Sequence, residues 1–145
     1  MILDSLQQFS SAQAITTTAN GSLDLDMGAA RDLGLGQVMA LLIVVTTTFT
    51  AGGAATLTPS LVADTASGFG SATTVWTGST FALASLTAGI LVAQPLPAIG
   101  KKQYLRTTYT VATGPMTAGA VSAWIAPWMA LQQWLSYAKN FTVTG

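Results

Sequence analysis

The sequence predicts an all-β fold, a sandwich or barrel of short strands, on three observations. Threonine and valine are abundant, and their branched Cβ suits a pleated surface better than a helix. Glycine-rich breaks recur about every ten residues, the rhythm of short strands joined by turns. Gln103–Ala112 alternates fully, with Leu105, Thr107, Tyr109 and Val111 on one face and Tyr104, Arg106, Thr108 and Thr110 on the other.

Each element has its own warrant. Residues 1–13 form an N-terminal arm whose Ile2, Leu3, Leu6 and Phe9 must dock somewhere. Ala14–Thr18 and Leu23–Met27 flank Asn20-Gly21, a pair that accepts positive φ, so a hairpin is expected there. Gly28–Gly36 is polar and glycine-rich and reads as a loop. Gln37–Thr48 is the strongest strand. Val38, Ala40, Leu42 and Val44 line one face and Met39, Leu41, Ile43 and Val45 the other, so it is covered on both sides: by the second sheet, and by a loop or a neighbouring subunit. Gly52-Gly53 breaks the chain before Ala54–Ala63, where Pro59 marks an edge or a bulge because it has no N–H to donate. Asp64–Gly70 is a loop and Ser71–Thr77 a strand. Leu86–Ala93 and Leu96–Ile99 follow, with a turn at Gly100-Lys101. Gly114-Pro115 turns the chain from Gln103–Ala112 into Ala118–Ala126, which ends a sandwich spanning 14–126. The aromatic C-terminal arm, 127–145, is either extended or helical: Trp128, Leu131, Trp134, Leu135 and Ala138 recur at helical spacing, and Pro127 suits a helix start.

Composition narrows the chemistry. Of 145 residues half are hydrophobic and only 7% charged, against about 25% in a typical soluble domain. The five acids are all Asp, the five bases cancel them, and His and Cys are absent. Disulfides, thiolate zinc sites, imidazole acid–base catalysis and His-ligated metals therefore have no residues to use, and neither a cofactor nor a metal is expected. A neutral chain lacks the basic patch of a nucleic-acid binder. Mean hydropathy is +0.54, yet the longest apolar run, Val38–Val45, is far short of the roughly 20 residues that cross a bilayer as a helix, so no membrane is expected as a partner. No basic, signal-like start is visible, and the sequons at Asn20 and Asn140 read as chance. Charge near zero promotes association, which predicts a life packed against copies or a partner.

The candidate sites follow. Asp24 and Asp26 share a strand face and could suggest a carboxylate pair or part of a calcium site, but a solvated face beside a turn accounts for them. Arg31-Asp32 reads as a loop ion pair. Lys101, Lys102 and Arg106 form a small basic cluster, expected to guard a sheet edge or make a polar contact to a partner rather than bind phosphate. Gly34-Leu35-Gly36 lacks the rest of a dinucleotide or phosphate motif. The rings carry more: Trp124, Trp128, Trp134, Tyr137 and Phe141 crowd one stretch, and such residues anchor interfaces. With Ile2, Leu3 and Phe9 they are the expected interface residues. The competing reading folds this stretch back onto the sandwich.

Three stretches resemble one family. They are Met1-Ile2-Leu3-Asp4 through Ser11-Ala12-Gln13-Ala14, then Asp26-Met27-Gly28-Ala29-Ala30-Arg31-Asp32-Leu33-Gly34, and Tyr109-Thr110-Val111-Ala112-Thr113-Gly114-Pro115-Met116-Thr117-Ala118-Gly119. Together they resemble the Bbp16-like capsid cement, or decoration, proteins of tailed bacteriophages. The likeness weakens after Ala126 and does not reach the Trp-rich stretch. The resemblance implies a jelly-roll sandwich of about eight antiparallel strands with N- and C-terminal arms, sitting on the outside of the capsid and bridging major capsid proteins. It implies a homo-oligomer, for which a dimer is favoured over a trimer, and no catalytic residues. The protein would be made in the host bacterial cytoplasm and end in the virion. The rival reading is a carbohydrate-binding jelly-roll module of a virion surface or receptor-binding protein, against which the scarcity of Asn counts; an enzyme would rest on Asp24 and Asp26 alone.

Overall fold

The computed structural model describes residues 3–33 and 36–140, with side chains as far as Ser136. Its strands are β1 (Gln8–Ala14), β2 (Ala19–Asn20), β3 (Leu25–Asp32), β4 (Met39–Ala51), β5 (Thr56–Asp64), β6 (Thr73–Thr77), β7 (Phe81–Ala82), β8 (Gly89–Pro95), β9 (Lys101–Ala112) and β10 (Met116–Pro127). One helix follows directly, α1 (Trp128–Asn140).

The strands form two antiparallel sheets. The first has the order β1–β10–β4–β8. In the second, β9 and β5 are central; β2 and β3 share the outer side of β9, and β6 and β7 share the outer side of β5. Each shared side is one interrupted strand, so the segments fill eight positions. First pairs with last in nested fashion: β1 with β10, β2 and β3 with β9, β4 with β8, β5 with β6 and β7. Successive pairs alternate between the sheets, which makes the sandwich a jelly roll.

Alternation builds the core. Leu41, Ile43 and Val45 of β4 face Leu57, Leu61 and Ala63 of β5, Leu105 and Tyr109 of β9, and Val121, Ala123 and Ile125 of β10, all buried in one cluster. Each such Leu or Ile contributes roughly 1.5–3 kcal/mol by leaving water. Tyr109 is wholly buried, and its hydroxyl bonds the Ser10 hydroxyl of β1 across the sandwich at 2.8 Å and accepts from the Thr107 hydroxyl at 3.2 Å. That small polar knot ties one sheet to the other, and burial pushes the Tyr109 phenol above its ordinary pKa.

Several expected elements move. The hairpin at Asn20-Gly21 does not form: Ala14–Thr18 is not a strand beyond Ala14, and β1 pairs with β10 instead. Residues 8–13, assigned to the arm, are most of β1. Gly21 is there for space rather than for positive φ. A Cβ would stand 2.4 Å from Thr107 Oγ1 and 2.8 Å from the Phe9 carbonyl. The expected loop at 28–36 is in part β3, bulged against β9 around Gly28, whose φ of 72° needs glycine. Leu96–Ile99 is not a strand; Leu96 and Ile99 plug the core from irregular backbone. Pro59 lies in the central strand β5, and its carbonyl accepts from Gly78 N–H on the side where the partner breaks between β6 and β7. Carbonyl and nitrogen of one strand residue point the same way, so its missing donor falls in that gap. The C-terminal stretch is helical over α1.

Gly21→Ala should cost about 1–3 kcal/mol through forced displacement of packed backbone. Gly52, whose added Cβ would meet open space, is the control, and Gly52→Ala should leave the urea midpoint unchanged or slightly raised.

Candidate interaction surfaces

The outer face of β4 decides what α1 does. Ala40, Leu42 and Val44 point away from the core, and exposing them would waste the apolar half of the strand. α1 covers them. Leu131 is fully buried against Ala40 and Leu42, and Trp124, Trp128, Trp134, Leu135, Ala93 and Leu3 close the cluster. Trp128 N–H bonds the Val38 carbonyl at 2.9 Å, so the first helical N–H is satisfied by the residue that leads into β4. The opposite face of α1 presents Met129, 69% exposed, with Gln132, Gln133 and Ser136. The element expected over β4, a loop or a neighbouring subunit, is the chain's own tail.

The expected interface residues therefore separate. Leu3, Trp124, Trp128 and Trp134 come together in this seam and stay partly exposed. Phe9 is wholly buried in the main core, where it meets only its own sandwich. Tyr137 lies in α1 with its side chain outside the described residues, and Ile2 and Phe141 lie outside them altogether.

Charge is segregated. β1, β4, β8 and β10 contain no charged residue, so the four-stranded sheet has none. Asp24, Asp26, Arg31, Asp32, Asp64, Lys101, Lys102 and Arg106, eight of the ten charges, lie on or beside the six-stranded sheet. Arg106 makes a two-pronged pair with Asp24, at 2.6 and 2.5 Å, and its guanidinium lies 4.0 Å from the centre of the Phe69 ring. Asp26 accepts from Gln103 and from Gly28 N–H. The expected Arg31-Asp32 ion pair is absent among the described residues: Asp32 accepts from Gly100 N–H, and Arg31 stands opposite Lys102. Lys101 and Lys102 open central β9 and so guard no edge. Each Asp near the sheet thus has a structural partner.

Asp64 holds the loop that carries Phe69. Its buried carboxylate accepts from the backbone N–H of Ser71, Thr65 and Ala66. Phe69 sits at φ 52°, strained for a bulky residue, with its ring on Arg106. The Ser71 bond does most to hold Asp64 below the usual carboxylate range; burial opposes it, and the other two N–H groups and Lys102 assist.

The remaining outer face of the six-stranded sheet is a hydroxyl array missed as such in the sequence. Thr58 bonds Thr80 at 2.8 Å and Ser60 bonds Thr108 at 2.5 Å. Its signal was the Thr/Ser alternation at 56, 58, 60 and at 108, 110. An open cleft of about 800 Å³ lies at one end of the sandwich, between Gly53–Thr56 and Ala82–Thr87, and no ionisable side chain lines it. No helix is long and apolar enough to cross a membrane, among the described residues.

The family model described as Bbp16 matches residues 9–125, from the second residue of β1 almost to the end of β10, leaving α1 outside the match. No curated protein matches the chain.

Two outcomes follow from this geometry. Leu131→Ala should loosen the seam by about 2–5 kcal/mol. Tryptophan emission should then shift to the red while Met129→Ala leaves it unmoved. Because Asp64 titrates lower in the folded chain than its unfolded value of 3.8, its stabilisation is complete above that pH and lost as pH falls below it. Urea midpoints taken through the acid range should drop more steeply for the wild type than for Asp64→Asn.

Proposed function

The chain belongs to the Bbp16 family, and on that premise we propose that it is a structural capsid cement protein, without enzymatic activity. It binds the outer surface of a tailed-phage head and stabilises contacts between major capsid protein subunits. It is made in the host bacterial cytoplasm and acts in the virion as a homo-oligomer, with neither nucleic acid nor membrane as partner.

The observation that carries this reading is the charge-free four-stranded sheet with its aromatic helical cover. A surface that must come off again is commonly steered and tuned by charge. One that must stay attached is served by apolar and hydroxyl-rich contact, worth roughly 25 cal/mol per Å² of apolar area buried. Many weak copies on one lattice then hold together by avidity. The charged sheet, where Asp24 already pairs with Arg106 and Asp26, Asp32 and Asp64 accept from backbone N–H groups, is suited to face solvent.

The test mixes purified protein with expanded heads of its own phage that lack it, and reads bound copies after sedimentation. Binding should change little between about 50 and about 500 mM salt, since few charges are available to be screened. Bound heads should also release DNA at a higher temperature than bare ones. A steep loss of binding with salt, or no binding at all, would overturn the reading.

A further inference from the structure

A jelly roll has four sheet edges, and an edge strand with open N–H and C=O groups invites pairing unless something blunts it. Three of the four are blunted here. β1 is bulged twice against β10, carries Ala12 at φ 44°, and has residues 20–23 laid along it: Leu23 N–H bonds the Phe9 carbonyl, and Gln13 Nε2 bonds the Asn20 carbonyl. The β2/β3 edge is interrupted, bulged, and charged with Asp26, Arg31 and Asp32. The β6/β7 edge is broken at Gly78 into pieces of five and two residues.

β8 differs. It runs seven residues, Gly-Ile-Leu-Val-Ala-Gln-Pro, without a charge. Among the described residues its backbone bonds only to β4. One bulge, at Leu91, separates the pairs Val44–Ile90 and Ile43–Val92, and from Val92 to Pro95 the register is regular. Pro95 stands at the last position, where it stops pairing from running on. Ile90 of this strand is 47% exposed, outside the part that α1 covers at Ala93.

We propose that the open edge of β8 pairs antiparallel with β8 of a second copy, joining two four-stranded sheets into one eight-stranded sheet across a two-fold axis. The occupant follows from charge. Two-fold pairing sets a strand against itself, so any ionised residue on it meets its own kind within a few residues, and like charges across a ladder repel. β8 carries no such penalty; β1 and the β6/β7 edge carry none either, but β8 is the one of the three that is neither broken nor overlaid by another segment among the described residues. A β3 edge pairing with itself would bring Asp26, Arg31 and Asp32 against their copies. The contact also continues the charge-free sheet, adding Ile90 of each copy to a shared apolar strip. This inference names the self-contact within the oligomer of the cement reading, but it is tested on the protein alone, with no heads present, so either can fail without the other.

The experiment uses two double variants, Ile90→Lys with Gln94→Lys, and Ile90→Asp with Gln94→Asp, both at exposed positions. In sedimentation equilibrium the wild type should dimerise, and each double variant alone should associate at least about tenfold more weakly. Mixed one to one, the two variants should recover dimer, because a basic strand then meets an acidic one in either register. Recovery also shows that both variants are folded. Hydrogen exchange should slow in β8 as wild-type concentration rises. A monomeric wild type, or double variants that dimerise like it, overturns the proposal. So does a dimer whose β8 amides exchange at the same rate at every concentration, which would place the contact elsewhere.

Discussion

The structure depends on a strand that is apolar on both faces. β4 contributes Leu41, Ile43 and Val45 to the space between the sheets and Ala40, Leu42 and Val44 to the outside. The inner set is satisfied by sheet-on-sheet packing, as in any sandwich. The outer set has no second sheet to meet. α1 supplies the cover, and because it starts at the residue after β10, the strand next to β4, it needs no connecting loop to reach its place. Three tryptophans in and beside the helix are the consequence: a short helix over a strip of small and branched side chains needs large flat groups to fill the seam.

The same constraint orders the charges. With its outer face committed to apolar cover at one end and to Thr46, Thr48 and Thr50 at the other, the four-stranded sheet has no place where an ion gains a partner. The ions gather on the six-stranded sheet, where Asp24 meets Arg106 and Asp64 ties a loop. The molecule is two-sided as a result, with a charge-free sheet on one side and eight of the ten charges on or beside the other. A Bbp16-family jelly roll with that division matches the proposed work of cement better than any transient binding role does.

Much of this was legible in the sequence, and the failures share a cause. The doubly apolar β4 and most strand positions from Met39 onward are local patterns and read correctly to within a few residues, Leu96–Ile99 and the short β7 excepted; the helical spacing of Trp128, Leu131 and Trp134 is visible but leaves an extended arm open. Asn20-Gly21 looked like a turn because the glycine is explained locally by φ. Its actual reason is Thr107 and Phe9, distant in sequence and close in space. The second part of β3, from Gly28, looked like a loop because its glycine and charges mark a bulged edge, and an edge is defined by what pairs with it. Phe9 was placed at an interface because a run near a terminus gives no sign that it becomes β1. Interface and core use the same rings, so composition could show the excess of aromatics but not which surface receives them.

The most direct measurement is an image of the intact phage head at side-chain resolution. The account predicts this jelly roll on the outside of the shell, with the charge-free sheet and α1 against capsid subunits or neighbouring copies and the Asp24–Arg106 face toward solvent. It would be contradicted by a particle in which the charged sheet makes the contacts and the α1 side faces water, or in which the protein is absent from the outer surface.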